Sequence, residues 1–302
     1  MPENYDDLIM EDVKETEPAN PPQERLSDEE YTEKKKEERD NLSDMAKQAE
    51  TEITGDGGKF QQYLNTLARF ERYSAQNTLL IFAQRPDATR LGDFDHWKEQ
   101  GEYVNKGATG IAIFEPGKEY KREDGTTGVS MNIKKVFDIS QTSVKDKTPS
   151  VSREIRILLK ALMSNSPAPI KLVDSLQDGN GAHYNESRDV IEVVRGLDGD
   201  SLFRCLAQEI AYAELDHQST ETLQCKNKGF AAYAASYTLC AKYGIDTKGY
   251  SFAEVPGYFA NRDGKEVRSE IKTIRDTVND VATRMSKVLE PQKKAPVQEA
   301  RS

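Results

Sequence analysis

The residues best suited to chemistry lie between Tyr73 and Pro116, where polar and cationic side chains are interspersed with aromatic ones. The polar residues of this segment are Ser74, Asn77, Gln84, Arg85, Thr89 and Arg90, and its aromatic residues include Tyr73, Trp97, Tyr103 and Phe114. Cations and amides can bind phosphates and aromatic faces can stack on bases, which is how proteins hold single-stranded nucleic acid. Aromatic residues at helical or alternating spacing also fit a hydrophobic core, so the residues alone leave both interpretations open.

Other kinds of site have little support in the sequence. The chain has only three histidines, His96, His183 and His217. Each fits a structural role, and His217 ends a predicted helix, where a cation complements the helix dipole. No phosphate-binding glycine motif follows a predicted strand, and no serine or cysteine lies in a nucleophile elbow. The sequence therefore favours a binding protein over an enzyme.

The negative charge is concentrated at the start of the chain. The protein has 302 residues and a net charge of −10, and residues 1–50 contain 17 acidic and 7 basic residues, so residues 51–302 are balanced at 35 of each. The acidic start indicates a solvated arm or a segment that imitates a polyanion. The first ten residues are acidic where a signal peptide is basic, no apolar run could cross a membrane, and the three cysteines form no CxxC pair. These features predict a cytoplasmic protein with reduced thiols and no membrane contact.

Hydrophobic periodicity predicts an α+β fold with two domains. The first should consist of helices on a small antiparallel sheet, and the second should be mainly helical with a short sheet. The expected divisions are a disordered acidic tail at 1–25, a first domain at 26–142, a linker at 143–150, a second domain at 151–290 and a polar tail at 291–302.

Local signals place the individual elements. In the first domain, a capping box at Ser27 begins a charged helix, two helices cover Gly58–Tyr73 and Ala75–Gln84, Asp93 caps a short helix, and a hairpin turns at Asp124-Gly125. The second domain should contain helices and strands at Ser152–Met163, Ile170–Val173, Ala182–Tyr184, Val190–Val194, Ser201–His217, Lys226–Tyr243 and Lys265–Leu289.

The segment from about Phe60 to Thr142 resembles the N-terminal domain of the ArdC/LtrC-like antirestriction proteins of conjugative plasmids and transposons. The resemblance rests on YS-x-x-N-x-x-L-I-x-x-Q-x-P-x-A-T, on W-x-x-x-G-x-x-V-x-K-G-x-x-G-I-x-I-x-x-P, and on the run from Val136 to Thr142. Members of that family bind single-stranded DNA through this domain and protect incoming DNA from restriction, so the resemblance implies a sequence-tolerant single-strand binder. With neighbouring cations included, the residues expected to contact DNA are Arg72, Tyr73, Ser74, Asn77, Gln84, Arg85, Trp97, Lys106 and Lys135.

The second half resembles the zincin-like domain of the same family, through Gly181–Tyr184, Val190–Val193, Arg195–Leu197 and Tyr243–Thr247. In the family, one helix carries HExxH, whose histidines bind zinc while the glutamate activates water. The resemblance places Gln208, Glu209 and Tyr212 at these positions and Tyr233 at the third ligand. An amide and two phenols are poor zinc ligands at neutral pH. The resemblance therefore implies a pseudo-metallopeptidase domain with no catalytic residue, no metal and no cofactor.

These observations predict a single-stranded-DNA-binding protein of a conjugative mobile element that opposes restriction or supports DNA transfer. Its partner would be single-stranded DNA, with a host restriction or conjugation protein as a further candidate. Two alternatives stay open: an active zinc metallopeptidase that cleaves a regulator, and an acidic interaction protein that imitates DNA. The first requires bound metal and depends on Glu209, with a rearranged site at His183, Glu214 and His217 as a variant. The second requires residues 1–50.

Overall fold

The computed structural model describes residues 27–122, 124–144, 154–177, 179–218 and 228–290. The predicted disordered start, most of the predicted linker, Cys225 and the polar tail from residue 291 lie outside the described residues. The chain divides into two units, Met1–Asp40 and Asn41–Ser302. The described part of the first unit is helical from Asp28 and carries an exposed ion pair between Lys35 and Glu38. All contacts below belong to the second unit, apart from the helix cap described next.

Helix α1 spans Asp28–Gly55 and begins as the sequence predicts. The Ser27 backbone N–H donates to Glu30 Oε2 at 2.8 Å, and the Glu30 N–H donates to Ser27 Oγ at 3.2 Å. This is the reciprocal pattern of a capping box. In the second unit, the rest of the helix buries an apolar face formed by Leu42, Ala46, Ala49 and Ile53.

Helices α2 (Gly57–Phe70) and α3 (Ala75–Gln84) follow. The five apolar residues predicted to face the core from α2 are all buried: Phe60, Tyr63, Leu64, Leu67 and Phe70. Helix α2 ends earlier than predicted, because Ser74 already caps α3 and the residues between them form the turn. Gly57 begins α2 against the backbone of the second half, where an added Cβ would lie 2.0 Å from the Phe252 carbonyl oxygen. This close approach requires glycine.

Three strands form the first sheet, in the order β1-β3-β2. They are β1 (Leu91–Gly92), β2 (Ile111–Lys121) and β3 (Thr127–Asp138), all antiparallel, with α4 (Phe94–Glu99) between β1 and β2 in sequence. The predicted hairpin is confirmed, and Gly125 adopts a φ of 81° at its turn, a conformation that favours glycine. Strand β1 is too short to show alternation, so the sequence does not predict it.

The second half contains five helices and three strands within its described residues. They are α5 (Ile155–Met163), β4 (Ile170–Val173), β5 (Ala182–Asn185), β6 (Val190–Val194), α6 (Gly199–Gln218), α7 (Lys228–Tyr243), α8 (Val255–Phe259) and α9 (Gly264–Leu289). The sheet order is β4-β6-β5, in which β4 runs parallel and β5 antiparallel to β6. Every predicted element is present within the described residues, while the predicted helix starts at Ser152 and Lys226 lie outside them. Helix α8 is too short for a periodic signal.

One hydrophobic core joins the two halves of the sequence. Phe60 of α2 lies against Phe230, Phe252 and Phe259, with ring centroids 5.5–6.0 Å apart. The Tyr237 hydroxyl of α7 donates to Asn65 Oδ1 at 2.9 Å. The expected boundary at 143–150 therefore does not separate two cores. Periodicity identifies a buried face but not the element that covers it, and here α7 and α8 cover α2.

The structure confirms the α+β fold class, with helices packed around two small sheets. No helix in the described part of the chain is long and apolar enough to cross a membrane.

Candidate nucleic-acid interface

The turn between α2 and α3 presents Arg72, Tyr73 and Ser74 on one surface. Ser74 has extended backbone angles, and its hydroxyl oxygen accepts a hydrogen bond from the Asn77 N–H at 3.2 Å, so it ends one segment and caps the next helix. The half-buried Tyr73 ring packs edge-on against Phe70 with centroids 6.0 Å apart. Burial raises the pKa of the Tyr73 hydroxyl, which therefore stays protonated at neutral pH.

Two amide side chains of α3 bind the open edge of strand β2. Asn77 Nδ2 donates to the Phe114 carbonyl at 2.8 Å and Asn77 Oδ1 accepts from the Phe114 N–H at 2.9 Å. Gln84 makes the same pair of bonds to Ala112, at 2.9 and 2.8 Å. Because β2 is an edge strand, alternate residues direct both backbone groups away from β3, and these amides satisfy them. Asn77 and Gln84 therefore position the sheet against α3.

An open groove of about 620 Å³ lies between this turn and the sheet. We call it the Tyr73 groove. Its lining residues are Arg72, Tyr73, Ser74, Asn77, Gly92, Asp93, His96, Ile113, Phe114, Glu115, Pro116, Met131, Lys134, Val136 and Arg275. An aromatic ring, apolar side chains and cations thus share one concave surface, the combination used for single strands.

Lys134 of strand β3 is one of the cations that line the groove. Its Nζ lies 2.7 Å from Asp93 Oδ2 and 3.0 Å from Glu115 Oε1. The hydrogen bonds to Asp93 and Glu115 raise the pKa of Lys134. Asp93 has a lowered pKa, first because it accepts from Lys134 and second because it accepts from the His96 backbone N–H. Lys134 is therefore fixed in place and remains charged over the whole physiological range.

Arg275 reaches the groove from α9 in the second half of the chain. Its Nε donates to the Tyr73 carbonyl at 2.6 Å, its Nη2 donates to the Arg72 carbonyl at 3.0 Å, and its Nη1 contacts Asp276 Oδ1 at 2.8 Å. The Arg275 guanidinium thus holds the turn between α2 and α3 through its backbone carbonyls. Within the described residues, the exposed Arg72 guanidinium makes no hydrogen bond or ion pair, so it is available to a ligand.

Of the residues predicted to contact DNA, the groove brings together Arg72, Tyr73, Ser74 and Asn77. Trp97 lies elsewhere: its side chain is 1% exposed, and its indole N–H donates to the Gly92 and Phe137 carbonyls at 3.0 and 3.2 Å. Trp97 therefore holds α4 against the sheet and offers no face to a base. The position of Trp97 in the sequence was consistent with core packing as well as with DNA contact, and the structure shows core packing.

The remaining predicted residues do not line the groove. Gln84 is used on strand β2, and Arg85 donates to Ser140 Oγ at 3.2 Å. Lys106 and Lys135 are exposed outside it. The sequence prediction did not include Lys134, although alternation along β3 places it on the opposite face from Lys135. Arg275 had no detectable signal, because its contact with Tyr73 joins residues 202 positions apart.

The positions that the resemblance aligns with HExxH and with the third zinc ligand bind other protein groups instead. Glu209 Oε2 accepts from the Tyr184 N–H at 2.8 Å, and Gln208 Nε2 lies 3.4 Å from Glu209 Oε1. The Tyr212 hydroxyl donates to Glu186 Oε1 at 2.9 Å, and burial together with that bond raises the pKa of Tyr212 to about 12. The Tyr233 hydroxyl accepts from the Ser251 N–H at 2.8 Å.

This set of donors does not fit a zinc or manganese ion. A phenol must lose its proton to bind such a metal well, and the raised pKa of Tyr212 opposes that loss. Glu214, part of the alternative site, accepts from Arg284 Nη1 with both carboxylate oxygens, and His217 lies 2.7 Å from Asp189. No cluster of three or more histidine, cysteine or acidic residues suited to a metal occurs among the described residues.

Comparison with known proteins finds similarity over the part of the chain that contains the Tyr73 groove. Residues 40–161 match the family model for the N-terminal domain of the anti-restriction factor ArdC. An uncharacterized protein of Bacillus anthracis, pXO2-81, is 27% identical over 266 aligned residues. That alignment covers 70% of this chain and 44% of the relative, so the chain spans less than half of the relative's length.

Two solved structures are similar in fold, both of the antirestriction ArdC protein from the R388 plasmid. The metal-free structure has a TM-score of 0.47 and 15% sequence identity, covering 71% of this chain and 86% of that one. The Mn(II)-bound structure has a TM-score of 0.44 and 15% identity, covering 73% and 86%.

Proposed function

Because residues 40–161 make this chain an ArdC-like protein with the N-terminal domain of an anti-restriction factor, we propose that it binds single-stranded DNA in the Tyr73 groove. Binding would shield a strand entering the cell from restriction or support its transfer, as part of a conjugative mobile element. The protein would act in the cytoplasm by covering the strand, without making or breaking a bond.

The Tyr73 groove is the observation that carries this proposal. Beside the Tyr73 ring it places the guanidinium of Arg72, which has no partner among the described residues, and the ammonium of Lys134, which Asp93 and Glu115 hold in place. Cations bind phosphates regardless of sequence, and an aromatic or apolar surface accepts any base. These contacts do not require hydrogen bonds to the edge of a particular base. Binding would therefore be tolerant of sequence.

The second half supports this function as a scaffold and not as a peptidase. Its residues at the zincin-like positions are hydrogen-bonded to protein groups, and Tyr212 and Tyr233 are phenols where the resemblance requires ligands. Through Arg275, this half fixes the turn that carries Arg72 and Tyr73. The pseudo-metallopeptidase domain would therefore contribute to DNA binding by holding the groove in shape.

Fluorescence anisotropy with a labelled oligothymidine at several salt concentrations tests the proposal. We expect Arg72→Ala and Lys134→Ala each to weaken binding about threefold to tenfold at low salt. Each should also make the slope of log K against log salt shallower by roughly 0.7 for every phosphate that the protein no longer neutralises. The exposed Lys98 of α4, which does not line the groove, provides the control Lys98→Ala.

Two outcomes would count against this site. Absence of binding by the unmodified protein at low salt would remove the proposed function. Binding that depends on Lys135 and is unaffected by Lys134→Ala would move the site to the opposite face of the sheet, since adjacent residues of a strand point to opposite sides. A duplex that contains the same oligothymidine, tested in parallel, should bind more weakly than the single strand.

A further inference from the structure

A second cavity, of about 550 Å³, opens beside the Tyr73 groove. We call it the α1–α9 pocket. Its apolar lining comes from α1, α3, β3 and α9, and consists of Ala46, Ala75, Leu79, Met131 and Ile271. The volume lies within the roughly 300–1,000 Å³ of clefts that bind small organic groups. An apolar interior with a polar rim suits a flat, partly apolar group such as a nucleobase.

The pocket and the Tyr73 groove adjoin and share part of their lining. Ser74, Met131 and Arg275 line both cavities. Arg275 forms the shared wall, and its hydrogen bonds to the carbonyls of Arg72 and Tyr73 and to Asp276 fix its position. A DNA strand that lies in the groove would therefore reach the pocket by passing the cationic side chain of Arg275.

The rim of the pocket carries more positive than negative charge. Lys47, Arg268 and Lys272 are 65%, 56% and 70% exposed, and Arg275 completes the cations. Each of these four cations pairs with one of three acidic residues: Lys47 with Asp44 at 2.8 Å, Arg268 with Glu50 at 3.4 Å, and both Lys272 and Arg275 with Asp276. This excess of exposed cations is complementary to a phosphate backbone that follows the rim.

We propose that the α1–α9 pocket receives a base of the same DNA strand, while Lys272 and Arg268 on α9 bind its flanking phosphates. The proposal rests on single-strand binding in the Tyr73 groove and extends it. It assigns DNA contacts to the last described helix, in the half of the chain that resembles a peptidase. The bound strand would thus run from the sheet, past Ser74 and Arg275, onto α9.

Filling the pocket tests this path. Ser43 is half-buried and lines the pocket, so Ser43→Trp should occupy it. We expect about tenfold weaker binding of a long oligothymidine, the size of losing one bound base. The affinity of the variant should stop rising at a shorter oligonucleotide length than that of the unmodified protein. Gln48→Trp is the matched control, since Gln48 is exposed on the same helix and lines neither cavity.

A second variant tests the phosphate interaction without adding bulk. Lys272→Ala should weaken binding about threefold and make the salt slope shallower by roughly 0.7. Because Lys272 is exposed, its removal should leave the thermal unfolding temperature unchanged. Circular dichroism of each variant checks that the fold is intact.

The outcomes separate the two proposals. Weaker binding in Ser43→Trp and Lys272→Ala, with Gln48→Trp unchanged, supports the path through the pocket. If Lys134→Ala weakens binding while Ser43→Trp and Lys272→Ala match the unmodified protein, the pocket proposal is overturned and the Tyr73 groove stands. If the unmodified protein binds no single strand, both proposals fail together.

Discussion

The Tyr73 groove and the zincin-like positions differ in how their polar groups are used. In the groove, the Arg72 guanidinium makes no hydrogen bond or ion pair within the described residues, while Lys134 pairs with Asp93 and Glu115. At the zincin-like positions, Glu209, Tyr212 and Tyr233 are each bonded to another protein group. The groove therefore contains an exposed cation without a protein partner among the described residues, whereas these three side chains are each bonded to the protein.

This difference shows that a family pattern alone does not identify a binding residue. Asn77 and Gln84 stand at pattern positions, yet their amides bind the backbone of strand β2. Lys134 lies outside the family pattern and nevertheless lines the groove. The hydrogen-bond partners of each side chain, more than its position in a pattern, indicate which residues can reach a ligand.

The largest expected effect comes from removing one of the structural amides. Asn77→Ala leaves the buried N–H and carbonyl of Phe114 without partners, and should lower the free energy of unfolding by about 2–4 kcal/mol. Urea unfolding followed by circular dichroism measures the change. Gln76→Ala, at the exposed neighbouring position of α3, should change it by less than about 0.5 kcal/mol.

A decrease below about 1 kcal/mol in Asn77→Ala, together with weaker DNA binding, would reverse the assignment. It would mean that the Asn77 amide is available to the strand and that another group can satisfy the edge of β2. Asn77 would then be a DNA-binding residue, and the distinction between structural amides and binding cations would not hold.

A smaller effect should follow when the Lys134 ion pairs are removed. Asp93 has a pKa below its ordinary value because Lys134 and the His96 N–H donate to it. A lowered pKa in the folded state contributes stability above the ordinary value of 3.8, and this stability is lost as the pH falls through the lowered value. Lys134→Met should therefore cost about 1 kcal/mol or less at pH 7, as exposed pairs do, and still less at pH 3.

Carboxyl-carbon NMR titration measures the Asp93 pKa directly. It should lie below its ordinary value in the unmodified protein and rise in Lys134→Met, while Lys98→Met leaves it unchanged. An Asp93 that titrates at or above its ordinary value in the unmodified protein would show that Lys134 is not held as described.

The smallest expected effect is that of metal on the zincin-like positions. A ligand that binds only the folded state stabilises it by about 2.7 kcal/mol at 100 times its Kd, which would raise the unfolding temperature by several degrees. Because the donors at these positions do not fit an ion, we expect zinc, manganese or a chelator to shift that temperature by less than about 1 °C. One equivalent of tightly bound metal by elemental analysis, or a shift of several degrees, would restore the metallopeptidase alternative.

The sequence by itself determined the local elements and the resemblance that the family-model match over residues 40–161 bears out. Helical spacing marked the buried face of α2, the Ser27 box marked the start of α1, and Asp124-Gly125 marked the hairpin. These signals are local, because a cap, a turn or a periodic face is set by residues within a few positions of one another. Arg72 and Tyr73 could also be predicted from the sequence, because they directly precede Ser74, the cap of α3.

Only the tertiary structure decided which of these residues form a site. It buried Trp97, assigned Gln84 to strand β2 and brought Arg275 to Tyr73 across 202 positions of sequence. It also placed α2 in one core with α7 and α8, where the sequence had indicated two domains. Which element covers a face, and which side chain already has a partner, depends on contacts between distant segments, and a single sequence does not encode these in any local pattern.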